Sequence, residues 1–288
     1  MKKIALLLLL AASFSMPAFA ADGAEPIKLI SYNLRTSHGK DGDNVWMKRR
    51  HATPEMIRRE APDVFGVQEG LIDQLHYIDT ECPQYARVGV GRDDGKEGGE
   101  IMAVFYLRDR YDLLDHGDLW LSETPDRVSR GWDGACNRTM TWVHLREKAT
   151  GKEFFHFNSH FDHIGTVARA ESAKLLIEKV AEIAGKTPAF CTGDFNSNQQ
   201  TNVYNTIVTS GTLVDSYART TDKVNADWPS YNGYKYISTP PAKASRIDHI
   251  FVTKGRTKVQ SWAIVNTSYS QKYPSDHFPV VIEWSFAK

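Results

Sequence analysis

Short apolar runs that stop on chemically capable polar residues recur along this chain, and that pattern limits the folds open to it. Residues 27–34 alternate and end at Asn33-Leu34-Arg35. Val64-Phe65-Gly66-Val67-Gln68 delivers Glu69, and residues 153–159 lead to His160-Phe161-Asp162-His163. Pro188 to Cys191 runs into Thr192-Gly193-Asp194-Phe195-Asn196. Runs of this length, bounded by turn residues, read as strands. A strand that stops at a turn leaves its last side chains on a sheet rim, so these residues are expected on one rim.

Further strands are expected at 85–90, 101–106, 138–145, 246–252, 258–265 and 278–284. Helices are expected from Val45, with Thr53-Pro54 as cap and first residue of a second piece, and at 71–80 and 202–208. The helix at 167–184 is the most periodic, with Ala170, Ala173, Leu176, Ile177 and Val180 as its apolar stripe. Residues 91–99 form a charged glycine-rich loop, 118–136 read as irregular, and a polar loop runs through Ala244. Strands outnumber helices without strict alternation. This predicts an α/β (α+β) sandwich with helices outside, not a doubly wound parallel sheet.

Lys2-Lys3, an apolar run over 4–12 and Ala18-Phe19-Ala20 have the form of an export signal at 1–20, too short to span a bilayer. No cysteine follows it to take a lipid, so no stable membrane anchor is expected. Residues 21–288 then form one large domain in the periplasm or outside the cell. The formal net charge is +0, which weighs against nonspecific gripping of long nucleic acid. Cys82, Cys136 and Cys191 are an odd set and imply no disulfide framework. An oxidising compartment would permit a Cys82–Cys136 bridge, which spacing alone does not assign.

The rim residues are Asn33, Glu69, Arg138, His160, Asp194, Asn196, Asp248, Asp276 and His277. Taken singly each has an ordinary alternative, such as Asp248 pairing with Arg246 or Asp276 capping a turn. Jointly they suit phosphate-ester hydrolysis, which needs charge neutralised on phosphoryl oxygens, water aligned opposite the leaving group, and that group stabilised. An Asp248–His277 pair favours imidazolium, which can bind a phosphate oxygen.

Ser31-Tyr32-Asn33, Gln68-Glu69, Asn158-Ser159-His160, Gly193-Asp194-Phe195-Asn196, Arg246-Ile247-Asp248 and Ser275-Asp276-His277 resemble, in order, the motifs of the endonuclease/exonuclease/phosphatase superfamily. The resemblance covers about Ile27 to Trp284 and points to an exported bacterial subgroup. It implies a four-layer sandwich, two mixed β-sheets face to face with helices outside, and a metal-dependent phosphoesterase. It also implies Glu69 as the main ligand of Mg²⁺ or Mn²⁺, with Asn33 and Asp276 beside it. Asp194 and Asn196 would position water and a phosphate oxygen, Asp248 would orient His277, and His160 would complete the catalytic set. Arg35 and Arg138 are the implied phosphate contacts; Arg35 stands where apurinic endonucleases carry an acid.

Selectivity must come from segments particular to this chain: Arg92 in the 91–99 loop, Glu100, and Trp120 with Trp132. They suit a pocket closed over a compact phosphorylated substrate. The alternatives are a nuclease, a phospholipid-headgroup diesterase, for which the aromatic segment 228–236 leaves room, and a noncatalytic glycan-binding sandwich.

Overall fold

The computed structural model describes residues 25–287, so the expected export signal at 1–20 lies outside the described residues. Chain order runs β1 (Ile27–Asn33), α1 (Trp46–Arg49), α2 (Ala52–Glu60), β2 (Val64–Gln68), α3 (Ile72–Glu81), β3 (Tyr85–Val88) and β4 (Val104–Leu107). It continues with β5 (Tyr111–Trp120), β6 (Thr139–Glu147), β7 (Glu153–His160), α4 (Thr166–Ala184), β8 (Ala189–Asp194) and α5 (Asn202–Thr209). The last strands are β9 (Leu213–Asp215), β10 (Lys223–Val224), β11 (Asp248–Thr253), β12 (Thr257–Ile264) and β13 (Val280–Phe286). They make a seven-stranded sheet in the order β10-β12-β13-β1-β2-β4-β3 and a six-stranded sheet in the order β5-β6-β7-β8-β11-β9. Both are mixed: β1 pairs parallel with β2 and antiparallel with β13, and β8 pairs parallel with β7 and antiparallel with β11.

Alternation along each strand builds four layers. Leu29, Val64, Val104 and Ile282 of the first sheet meet Phe154, Phe190, Ile250 and Val252 of the second in one core between the sheets. The opposite faces hold the helices. Met56, Ile57, Leu75 and Ile78 of α2 and α3 pack on Ile30, Phe65 and Phe105. Ala173, Leu176 and Val180 of α4 and Ile207 of α5 pack on Phe157, Cys191 and Phe251. The outer start of α4 is held by a distant loop: the Asp133 carboxylate accepts from the backbone N–H groups of Val167 and Ala168 at 3.2 and 2.7 Å.

The inward-facing positions change character along the strands. Leu29, Val64, Phe154 and Phe190 are apolar. Two residues on, the series becomes Ser31, Gly66, His156 and Thr192, and two further on Asn33, Gln68, Asn158 and Asp194. Asn158 bridges the sheets with all its polar capacity used. Its Nδ2 donates to Val67 O at 2.8 Å and Ala103 O at 3.0 Å. Its Oδ1 accepts from Gln68 Nε2 at 2.6 Å and Thr192 Oγ1 at 2.9 Å. Thr192 in turn accepts from His156 Nε2 at 2.7 Å.

The structure departs from the expected elements in places. Tyr111–Trp120 is a strand where 118–136 read as irregular. It lies at a sheet edge, where Asp112, Asp115, His116 and Asp118 suit solvent and mask the periodicity. Helix α2 begins at Ala52, which puts Pro54 inside the first turn, where its missing N–H costs nothing. Ala170 and Ile177 are only half-buried on α4. Cys82, Cys136 and Cys191 are all free thiols, so the Cys82–Cys136 bridge does not form. Cys82 is buried among α2 and α3, whereas Cys136 lines the cavity described below.

A Cβ on Gly66 would lie 2.4 Å from Thr192 Oγ1 and 2.5 Å from Asn158 Oδ1. Gly66→Ala is therefore expected to destabilise the fold by about 1–3 kcal/mol, the scale of overpacking in a filled interior. Urea unfolding followed by tryptophan fluorescence measures this, and an unshifted midpoint would contradict the role given to Asn158.

Candidate active site

At the polar end of the inter-sheet layer the strands open into a cavity of about 420 Å³. Its lining includes Arg35, Glu69, Arg92, Glu100, Arg138, His160, Asp194, Asn196, Asp276 and His277, all of them expected site residues. Strand register does the assembling. His160 of β7 sits opposite Asp194 of β8, and Asp248 of β11 sits opposite Asp194 on its other side. From the other sheet, Asn33 lies level with Gln68, and Glu69 follows it. Three residues that leave their strands here, Arg35, Glu69 and Asn196, have positive φ (55°, 58° and 46°). Such backbone is sparsely populated by residues with a Cβ, and its clustering at one rim marks a functional surface.

Asn33 links the acids of the two sheets at the rim. Its Nδ2 donates to Glu69 Oε1 and to Asp194 Oδ2, both at 3.0 Å, while its Oδ1 accepts from Arg35 N at 2.9 Å. Its amide protons thus face the two carboxylates, and it stands beside Glu69 as expected. Glu69 also accepts from Thr36 N at 3.1 Å. Burial opposes ionisation of Glu69, but the Asn33 bond, the His277 charge and the Thr36 N–H outweigh it and hold its pKa low.

Across the floor, His277 Nδ1 donates to Asp248 Oδ2 at 2.9 Å, and its Nε2 lies 3.7 Å from Asp194 Oδ2. Burial alone would lower the pKa of His277, but Asp248 and then Asp194 raise it to about 10, so it is an imidazolium. Asp194 is pushed well above the usual carboxylate range, first by burial and then by Asp248. Its Oδ1 accepts from Asn196 N at 2.9 Å. The Asn196 amide nitrogen donates to Phe161 O at 3.0 Å, so its second proton faces His160 Nε2 at 3.1 Å. His160 is thereby an acceptor at Nε2, with its proton on Nδ1. Burial, followed by Arg138 and Arg92, keeps it neutral.

The donor set suits a hard divalent cation. Asp194, Asp276 and Glu100 are each raised first by burial, and a neighbouring carboxylate adds to it, Asp248 at Asp194 and Glu69 at the other two. Arg35 pairs first with Asp41. Its guanidinium is gripped by Asp41 at 2.9 and 3.1 Å and stays 3.9 Å from Glu69 and 3.8 Å from Asp276. One ligand atom each of Glu69, His160 and Asp194 lie within 4.8 Å of one another, a group that could hold such an ion. A second cluster, Cys136, Asp162 and His163, is a poor candidate. Asp162 already accepts from the N–H groups of Ala135, Ile164 and Gly165 and has Arg138 at 3.7 Å.

The expected aromatic walls are absent. Trp120 is buried behind the 91–99 loop, where its Nε1 donates to Arg92 O at 2.7 Å. Trp132 is also outside the cavity lining, its N–H bound to the Glu123 carboxylate. Trp120, the last residue of the polar edge strand β5, supports the loop from behind. The loop itself supplies only Arg92 to the lining. It folds on its own backbone, with Asp94 Oδ1 accepting from Lys96 N and Gly98 N at 2.7 and 2.8 Å. Arg138, expected on the phosphate, sits between Glu100 (3.6 Å) and Asp162 (3.7 Å) and donates to His163 Nδ1 at 3.0 Å. The residues sequence reasoning missed are Thr36, Cys136, His163, Tyr231 and Ile247. Tyr231 is half-exposed and edge-on to His277, ring centroids 5.0 Å apart. The aromatic density of 228–236 was the one signal for it.

Asp248→Asn removes the charge that sustains the imidazolium while preserving shape. It is expected to lower kcat by about 10²-fold or more, the usual scale for a proton-handling group. Steady-state kinetics beside a thermal melt checks this; an unchanged kcat would show that His277 works without Asp248.

A family model described as the Endonuclease/Exonuclease/phosphatase family matches residues 30–277. The structure of a mannosyl-6-phosphatase from Bacteroides thetaiotaomicron is 39% identical, with a TM-score of 0.84, over 90% of this chain and 100% of that one. An endonuclease/exonuclease/phosphatase family protein of the same organism is also 39% identical, with a TM-score of 0.85, over 90% of this chain and 98% of that one. Nocturnin of Drosophila melanogaster is 25% identical over 90% of this chain and 47% of its own length. Human Nocturnin is 24% identical over 91% of this chain and 66% of its own. The chain thus spans between about half and two thirds of these curated relatives. The human Nocturnin catalytic domain, 21% identical with a TM-score of 0.68, shares the fold.

Proposed function

We propose that this chain, which belongs to the endonuclease/exonuclease/phosphatase family, acts as an Mg²⁺- or Mn²⁺-dependent phosphatase on a compact sugar phosphate. That it is a phosphoric ester hydrolase follows from the family; the substrate and the metal are the proposal. The observation that carries it is the half-open cavity of about 420 Å³ with Arg92 and Glu100 in the same lining as Glu69, Asp194 and Asp276. A space of that size accepts a small ligand, whereas a nuclease of long duplexes needs an open basic track. The likeness to a mannosyl-6-phosphatase supports a hexose phosphate. The Lys2-Lys3, apolar and Ala18-Phe19-Ala20 pattern supports export, and among the described residues no helix is long and apolar enough to cross a membrane.

In this reading, His277 donates from Nε2 to a phosphoryl oxygen and stabilises the charge that builds there. Asp194, raised toward neutrality and fixed by Asn33 and Asn196, takes the proton of the attacking water. The Asn196 side-chain oxygen, left free by the two bonds of its amide nitrogen, orients that water. Arg35, locked by Asp41, contributes a fixed positive charge at the mouth. A divalent ion held by Glu69 and Asp276 would withdraw charge from the phosphate and help the leaving oxygen depart.

Hydrolysis should be measured with Mg²⁺ or Mn²⁺ on hexose 6-phosphates, inositol phosphates, sphingomyelin, bis-p-nitrophenyl phosphate, RNA and plasmid DNA. The expected result is phosphate release from the hexose phosphates, abolished by EDTA. Efficient, salt-sensitive plasmid nicking with no phosphate release would replace the reading with a nuclease. Separately, Glu69→Gln should weaken Mg²⁺ binding about tenfold or more by calorimetry, one charged ligand being worth roughly that much. Unchanged affinity would remove Glu69 from the metal set.

A further inference from the structure

We infer that Glu100 with Arg92 and Arg138 forms a hydroxyl-reading subsite that selects the alcohol part of the substrate, an inference that rests on the phosphatase reading above. Glu100 Oε2 accepts from Arg92 Nη1 at 2.5 Å and lies 3.6 Å from Arg138 Nη1 and 3.8 Å from His160 Nδ1. The last two gaps are too long for hydrogen bonds. Arg138, only 6% exposed, leaves Nε and Nη1 without partners, as Arg92 leaves Nε and His160 leaves Nδ1. Buried donors of this kind are costly unless something accepts from them. Arg92, Arg138, His160 and Glu100 all line the cavity, so a bound molecule can be what accepts.

The chemistry of that molecule is narrowed by the carboxylate. A second phosphate or a carboxylate would satisfy the arginines but meet Glu100 at close range. An apolar group would leave every orphan donor unpaired. A hydroxyl both accepts and donates. Its oxygen can accept a hydrogen bond from Arg138 Nη1 or His160 Nδ1, and its O–H can donate one to Glu100. Neighbouring hydroxyls of a sugar ring supply that pattern twice over.

The subsite is also held in place. Trp120 Nε1 and Asn137 Nδ2 donate to Arg92 O at 2.7 and 3.3 Å, and Arg92 N donates to Glu100 O at 3.0 Å. Trp120 is thus a positioning residue for Arg92, which explains a buried indole directly behind the loop.

The test compares mannose 6-phosphate with its singly deoxygenated analogues by kcat/KM, in wild type, Glu100→Gln and Arg92→Lys. In wild type, at least one deoxy analogue should lose about 10- to 100-fold, the worth of a hydrogen bond to a charged group. In both variants the parent should fall so that its ratio to that analogue narrows to within roughly threefold. Thermal melts confirm that the variants are folded, and the second variant stands if the first is not. Equal rates on parent and every analogue in wild type would overturn the subsite and leave the phosphatase intact. So would a ratio that survives both substitutions. Wild type that releases phosphate from none of these sugars would overturn the reading beneath it.

Discussion

One amide, Asn158, holds the two sheets at the spacing on which the site depends. It stands on β7 yet donates to carbonyls of Val67 and Ala103, which belong to the facing layer. Its oxygen collects Gln68 and Thr192. A buried polar group with every bond satisfied adds specificity to a packing that apolar contacts alone would leave free to slide. It marks the level at which the interior stops being hydrocarbon and becomes chemistry. The core lies on one side of it, and the acids that line the cavity begin on the other.

Beyond that level the interior works by crowded charge. Acids from both sheets are drawn into a small volume, where Arg92 pairs with Glu100 while Arg35 is held by Asp41. Desolvation then decides the protonation states: it is the leading influence on Asp194 and Asp276 and is overcome at His277 by Asp248, Asp194 and Asp276. The same crowding that makes the site costly to fold makes it receptive to a divalent ion and a phosphate.

Much of the fold was legible because burial imposes periodicity. The strand at 64–68 was read to the residue, with Glu69 at its end, and α4 to within one residue of its start. Strand β5 escaped because an edge strand facing water has no need of an apolar face. At the site, the acids and histidines could be collected because each lies at or beside a strand end. The roles of Asn33 and Trp120 could not, since they depend on which way an amide and an indole face. Tyr231 and His163 enter the cavity from loops, where spacing carries no information about direction.

The pairing of β1 with both β2 and β13 has a temporal consequence. Ser275 Oγ donates to Asn33 O at 2.6 Å across nearly the whole chain, and Asp276 and His277 follow immediately. A nascent polypeptide therefore cannot acquire a working centre until its final strand has emerged and docked beside its first. Contacts so distant in sequence close slowly. Turnover in this protein is accordingly a report on completed folding, and a chain cut short before residue 276 would be inert however well its earlier layers had formed.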